Sequence, residues 1–186
     1  MVRVTNRFLI SSKMFVKETY GQEVWNTLME TLQPATRNIF KAKINPKKDV
    51  GFDKVADLLV CVEKLLAKEH PDVLFELGLH NSADDLSATQ KLFMKIISVE
   101  WVLKVAAMLW KQRVKNGGKM EIQTLGKGRV KAQIHKFQSP LDQWWRYLSG
   151  WFTCAIEFSG GKNVEVKLIS ASQSPDETTE YEASWS

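Results

Sequence analysis

Residues 139–161 read SPLDQWWRYLSGWFTCAIEFSGG, and the reading of this stretch decides the fold. Ser139 followed by Pro140 has the chemistry of a helix N-cap with proline at the first helical position. Asp142 suits the positive first turn, and Gly160–Gly161 supply the stop. Between those ends Asp142, Arg146, Ser149, Thr153 and Glu157 recur three or four residues apart and form one narrow polar stripe. Nearly everything else is apolar: Leu141, Trp144, Trp145, Tyr147, Leu148, Trp151, Phe152, Ala155, Ile156 and Phe158. A helix that is apolar around most of its circumference belongs in the middle of a domain. Gly150 would allow one close contact there.

On both sides of this helix the periodicity is twofold. Met120, Ile122 and Thr124 alternate with Lys119, Glu121 and Gln123; Gly126–Lys127–Gly128 turns the chain; Val130, Ala132 and Ile134 alternate with Lys131, Gln133 and His135. That is a β-hairpin with one wet face. After the helix the pattern returns in Val164, Val166 and Leu168, and again in Thr179, Tyr181, Ala183 and Trp185. The C-terminal part is therefore hairpin, helix, hairpin. The expected class is α+β, a helical N-terminal part (about 12–117) followed by a four-stranded antiparallel sheet (about 118–186) in a single domain spanning 1–186.

Upstream, residues 2–11 (VRVTNRFLIS) have the β-branched and aromatic content of a short strand. Lys13–Leu32 reads as helix interrupted at Tyr20–Gly21, with Val24, Trp25, Leu28, Met29 and Leu32 on its buried face. Pro34 restarts a short helix, Lys41–Asp49 is a basic turn, and Gly51 opens a helix with Phe52, Val55, Leu58, Leu59, Val62, Leu65 and Leu66 inward. His70–Pro71 ends it. The next helix carries Val73, Leu74 and Leu77 up to a polar break at Asn81–Asp85, and another follows from about Leu86. Ser98 and Glu100 mark a restart, after which Trp101, Val105, Met108 and Leu109 are expected to face inward. Asn116–Gly117–Gly118 stops that helix.

Composition bounds the rest. At 186 residues and 44% hydrophobic content the chain can bury roughly 70% of its unfolded surface. No window reaches the ~18 apolar residues of a membrane span, and the N-terminus lacks a signal-peptide core, so a cytoplasmic protein is expected. Cys61 and Cys154 sit in apolar helical patterns, as reduced core thiols do. The formal net charge is +5, concentrated between Lys111 and Lys136, while Asp176, Glu177, Glu180 and Glu182 make the tail acidic. If the tail pairs beside those basic strands, much of the charge is compensated internally.

Chemical motifs are few. The GKG of 126–128 lacks the spacing of a phosphate loop and reads as a hairpin turn. His80 and Asp84 have i, i+4 spacing, but a solvated helix end is the plainer reading, so no metal site is assigned. No GxSxG, no HExxH and no cysteine in a catalytic context is present, so no catalytic residue is assigned and a non-enzymatic protein is expected.

The helix ending in GGKNVEVKLIS, the turn QSPDETT and the strand EYEASW resemble the C-terminal part of the superfamily that contains haem-nitric-oxide-binding domains, 4-vinyl-reductase-type small-molecule-binding domains and vesicle-transport-particle subunits. With YGQEVW, WVLKVAAMLWKQRVKNGG and SPLDQWWRYLSGW added, the whole chain resembles an uncharacterised bacterial paralogous family abundant in myxobacteria. That resemblance implies the fold. It also implies comparisons at particular residues. Ser170 and Thr179 stand where 4-vinyl-reductase-type domains often carry two cysteines implicated in metal or ligand binding. Where haem-binding relatives use a Tyr-x-Ser-x-Arg motif, this chain offers only Tyr147-Leu148-Ser149-Gly150-Trp151, with tryptophan in place of arginine. No haem or other cofactor is assigned.

Three function classes remain open. The first is a sensory or regulatory module that holds an apolar small molecule between the central helix and its neighbours, lined by Trp101, Trp110, Trp145 and Phe152. Large core aromatics would give the same composition without any ligand. The second is a protein–protein adaptor, possible as a homodimer, working through an exposed apolar patch. The third is nucleic-acid binding by the basic 111–136 region, which lacks the stacking aromatics of single-strand binders.

Overall fold

The computed structural model describes residues 1–85, 98–138 and 140–186. The helix expected from Leu86 and the expected Ser139 cap lie outside the described residues.

The N-terminal part is helical: α1 (Arg7–Tyr20), α2 (Gln22–Thr31), α3 (Pro34–Lys41), α4 (Phe52–Leu66), α5 (Val73–Asp85) and α6 (Val99–Arg113). The central helix α7 (Asp142–Phe158) follows the hairpin β4 (Lys119–Gly126) and β5 (Arg129–His135) and precedes β6 (Glu165–Ser170) and β7 (Thr178–Ser184). These four strands make an antiparallel sheet in the order β4-β5-β7-β6. Three very short strands, β1 (Arg3–Thr5), β2 (Asp49–Gly51) and β3 (Val114–Lys115), form a second antiparallel sheet in the order β2-β1-β3. The α+β class and the late four-stranded sheet match the reading of the sequence. Among the described residues no helix is long and apolar enough to cross a membrane.

Each face of α7 buries against a different layer. Trp145 and Phe152, seven residues apart, point at the four-stranded sheet: Phe152 meets Tyr181 of β7 at 5.2 Å between ring centroids, and the Tyr181 hydroxyl donates to the Trp145 carbonyl at 2.8 Å. Burial pushes the Tyr181 phenol well above its ordinary pKa, so it stays a donor. Trp144 and Tyr147 point the other way, into the helices. Trp144 meets Phe52 of α4 at 5.3 Å and Phe8 of α1 at 5.9 Å.

The closest helix packing is between α5 and α7, and it is a glycine contact. A Cβ on Gly150 would lie 1.9 Å from the Phe75 carbonyl oxygen, and a Cβ on Gly78 would lie 2.0 Å from that of Tyr147. No side chain fits at either position. The two backbones therefore approach each other without side-chain spacers, as the Gly150 reading anticipated for one side only.

Several boundaries differ from expectation, each for a physical reason. The strand expected over 2–11 is limited to Arg3–Thr5, and α1 begins at Arg7 rather than Lys13. Phe8, Leu9, Ser11, Ser12, Phe15 and Val16 form one buried helical stripe, hidden in the sequence because two of its members are serines. Similarly, α5 continues through the expected polar break, because Asn81 and Ser82 are buried and the Asn81 amide donates to Ser12 Oγ at 3.1 Å. The α6 face is rotated: Val99, Val102, Leu103, Ala106 and Trp110 are buried, whereas Trp101 and Met108 are 51% and 67% exposed and Val105 is half-buried. Two interleaved apolar stripes fit this helix, and tertiary packing selected the other one. Ser98 does cap it, accepting from the Trp101 amide at 3.3 Å. The central helix starts at Asp142, with Leu141 as N-cap, so Pro140 precedes the first turn rather than forming it. Gly160, at φ 92°, ends the helix as read.

The acidic tail does lie beside the basic strands. β7 pairs with β5, placing Arg129 3.5 Å and Lys131 3.6 Å from Glu182 and Glu180. Lys115 pairs with Asp49 at 2.5 Å, and Lys119 pairs with Glu121.

Gly150→Ala adds a strong helix former, worth about 1 kcal/mol in an isolated helix. Here it should instead lower stability, by about 1–3 kcal/mol net, because the helices must separate. Gly78→Ala should do the same. Urea midpoints report both, and an increase in either would show that the crossing has room for a methyl group.

Candidate functional site

On α7 the residues Trp144, Tyr147, Leu148 and Trp151 recur at i, i+3, i+4 and i+7, so they share one face. They form one wall of a cavity of about 60 Å³. The first turn of α1 contributes Arg7 and Phe8, α5 contributes Asn81, α6 contributes Ala106, Trp110 and Arg113, and Met120 of β4 closes the end. With Val4 and Thr5 of β1 and Val114 of β3, elements from distant parts of the sequence thus meet at the central helix.

The polar atoms around this cavity are unevenly satisfied. Trp110 Nε1–H donates to the Gly117 carbonyl at 3.0 Å. Asn81 donates to Ser12 Oγ, which itself donates to the Phe8 carbonyl at 2.7 Å, and these bonds fix the amide's orientation. Its other end, Oδ1, is buried with no hydrogen-bond partner among the described residues, and the same is true of Trp144 Nε1. One unused acceptor and one unused donor therefore sit on residues that line the same cavity. Leaving such groups buried and unsatisfied costs about 1–3 kcal/mol each.

The charged residues among the described lining are arginines. Arg7 and Arg113 line it, and no aspartate or glutamate is among the described lining residues.

The four aromatic residues named from the sequence do not converge. Trp110 lines the cavity, whereas Trp145 and Phe152 are buried against the sheet side of α7. Trp145 Nε1–H donates to the Ser172 carbonyl at 3.3 Å. Trp101 is exposed on α6. The lining residues that sequence reasoning passed over are Phe8, Asn81, Trp144 and Tyr147. Asn81 carried a signal: it is a polar residue in phase with the buried Leu74 and Leu77 of α5.

The other singled-out groups are engaged elsewhere. His80 Nδ1 lies 3.4 Å from Ser11 Oγ and its Nε2 3.7 Å from Glu18. Ser170 Oγ donates to the Thr178 carbonyl at 3.2 Å, and the Thr179 hydroxyl bonds Ser172 at 3.0 Å. Both cysteines are reduced thiols, Cys154 buried and Cys61 half-buried, and burial pushes the Cys61 thiol up.

No protein-family profile matches the chain, and no curated protein matches it in sequence. Solved structures do match in fold. An H-NOX protein from S. oneidensis in the Fe(II) state superposes with a TM-score of 0.73 at 12% identity, covering 98% of this chain and 96% of that one. The S. oneidensis protein in its Fe(II)NO state gives 0.70 at 14% identity, covering 98% and 99%. An unliganded Fe(II) H-NOX variant from K. algicida gives 0.70 at 10% identity, covering 98% and 96%.

The two buried indoles that line the cavity should respond differently to loss of the N–H. Trp110→Phe strands the Gly117 carbonyl and should cost about 1–3 kcal/mol beyond the lost volume. Trp144→Phe removes a donor with no protein partner and should cost less. Chemical denaturation of the two variants compares them directly, and a larger loss for Trp144→Phe would contradict the assignment of its donor as unused. From α1 to β7, this chain has the fold of the H-NOX domains.

Proposed function

We propose that the protein is a single-domain, non-enzymatic, sensor-type module that binds a small molecule against its central helix. The observation that carries this reading is the cavity beside Trp144, walled by aromatic side chains of the central helix and by residues of α1, α5 and α6. The H-NOX fold supports it, since solved neighbours of that fold were captured in an unliganded Fe(II) state and in an Fe(II)NO state. Binding would fall between the central helix and α1, α5 and α6, with Trp110 as the lining residue shared with the sequence reading. Trp101, Trp145 and Phe152 would act indirectly, Trp145 and Phe152 by tying the helix to the sheet. A cytoplasmic, bacterial protein of the myxobacterial-type family fits the same reading.

Haem does not fit the residues present. The cavity of about 60 Å³ is well below the ~300 Å³ at which drug-sized pockets begin. Its lining holds no histidine or cysteine. The chain's three histidines are placed elsewhere: His80 beside Glu18, His70 against Tyr20 at 4.8 Å, and His135 against Thr178 at 2.9 Å. Haemin titration is expected to give no sharp one-to-one Soret band; a stoichiometric, histidine-dependent band would reverse this assignment.

A thermal-shift screen of compounds with about three to six heavy atoms tests the reading. At a hundredfold excess over Kd a ligand should raise Tm by about 5–10 °C. Ala106→Leu, which puts three more carbons into the cavity, should abolish the shift. If no compound stabilises the protein, and size-exclusion chromatography shows a concentration-dependent dimer instead, the adaptor reading replaces this one. The exposed Trp101 and Met108 on α6 would then be its first candidates.

A further inference from the structure

We propose that the outer face of α1, together with the basic loop that follows α3, is a docking surface for an anionic lipid bilayer. This surface shares no residue with the lining of the cavity beside the central helix, so it stands or falls apart from the ligand reading.

Three observations lead there, and charge is the first. Lys41, Lys43, Lys47 and Lys48 fall within one short loop and all four are exposed. Lys43 and Ile44 of that loop meet α1 across an open groove of about 640 Å³, whose α1 wall carries Lys13 and Lys17. Glu18 is the acid among the described lining residues, and it stands 3.7 Å from His80. None of the six lysines lies within ion-pair distance of a carboxylate among the described residues. The hairpin differs, since Lys119, Arg129 and Lys131 each have an acidic neighbour.

The second observation is that the lysines stand on fixed backbone. Asn6, just before α1, gives its side-chain amide to the Asn45 carbonyl at 2.9 Å and its backbone N–H to the Lys48 carbonyl at 2.8 Å. Asn45 Oδ1 in turn accepts from the Lys47 backbone N–H at 2.9 Å. On α1, Lys13 Nζ lies 5.8 Å from the Trp25 ring centroid. The positive charge is therefore concentrated in advance, and docking orders little further chain.

The third observation selects the partner. Between the lysines lie Ile10, Met14 and Ile44, with Met14 39% exposed. A bilayer surface offers anionic headgroups above an apolar layer and demands no shape match. Protein interfaces are depleted in lysine and centre on aromatic or arginine anchors, and neither type is among the described lining residues. Binders of single-stranded nucleic acid present aromatic faces for stacking. Here the ring under Lys13, that of Trp25, is only 5% exposed.

Co-sedimentation of the full chain with vesicles tests this, using phosphatidylcholine alone and phosphatidylcholine mixed about three to one with phosphatidylglycerol. The chain should bind the anionic vesicles at low salt, leave the neutral ones free, and dissociate at high salt as the charges are screened. Each lysine near such a surface is worth about fivefold in binding, so Lys43→Gln with Lys47→Gln should weaken it about 25-fold. Lys127→Gln with Lys162→Gln removes the same charge elsewhere on the chain and should change binding by less than about twofold, because those sites lie outside the docking surface. Met14→Ser should weaken binding about threefold through the lost apolar contact. Absence of binding to anionic vesicles at low salt overturns the proposal, and so does an equal loss from the two double variants. If a single-stranded oligonucleotide binds the chain and Lys43→Gln with Lys47→Gln weakens that binding while vesicles stay unbound, the surface is a nucleic-acid site instead.

Discussion

The contact on which the rest of this structure depends is the crossing of α5 and α7 at Gly78 and Gly150. Each glycine faces a carbonyl oxygen of the other helix at a separation that excludes even a methyl group. Close backbone approach brings the flanking side chains of both helices into register: Val73, Leu74 and Leu77 from one, Leu148 and its neighbours from the other. It also sets how far the α5 residue Asn81 lies from the α7 residue Trp144, and so sets the width of the cavity between them. A single larger residue at the crossing would alter core and cavity together.

The two faces of α7 are built to different standards. Toward the sheet the polar groups pair: Trp145 Nε1 reaches Ser172, Tyr181 reaches the Trp145 carbonyl, and Thr179 and Ser172 bond each other. Such a face is a structural joint between helix and sheet. Toward the helices, Trp144 and Asn81 keep a donor and an acceptor unused within a buried, largely aromatic wall. Buried polar groups are nearly always satisfied in folded proteins, so the helical face of α7 is the less completely paired of the two.

Charge is partitioned in the same way. The basic hairpin that dominates the sequence is answered by the acidic last strand, with Arg129, Lys131 and Gln133 facing Glu182 and Glu180 across the ladder. Pairs of this kind on an exposed sheet face contribute little to stability. They do place Arg129 and Lys131 of the basic hairpin beside neighbours of opposite sign. The cationic side chains at the cavity belong instead to α1 and α6, and no acid is placed among the described lining residues.

Local pattern sufficed wherever one period dominated. The twofold alternation of 119–135 and 164–185, the apolar girth of 141–158, and the helix from Gly51 to Leu66 each admit one reading, and each was legible. Where two readings fit, the sequence alone could not choose. The stripe on α6 has two possible phases, and only packing against α7 and β4 buries Trp110 and leaves Trp101 outside. Serines 11 and 12 concealed the buried stripe of α1, because a serine reads as surface until its partner is known. The three short strands of the second sheet owe their existence to pairing across more than 40 residues, which no local period records. The cavity belongs to the same class: its walls come from several segments, so aromatic content in the sequence signalled a large core, while the position of the unfilled space was decided by the tertiary approach of backbones at Gly78 and Gly150.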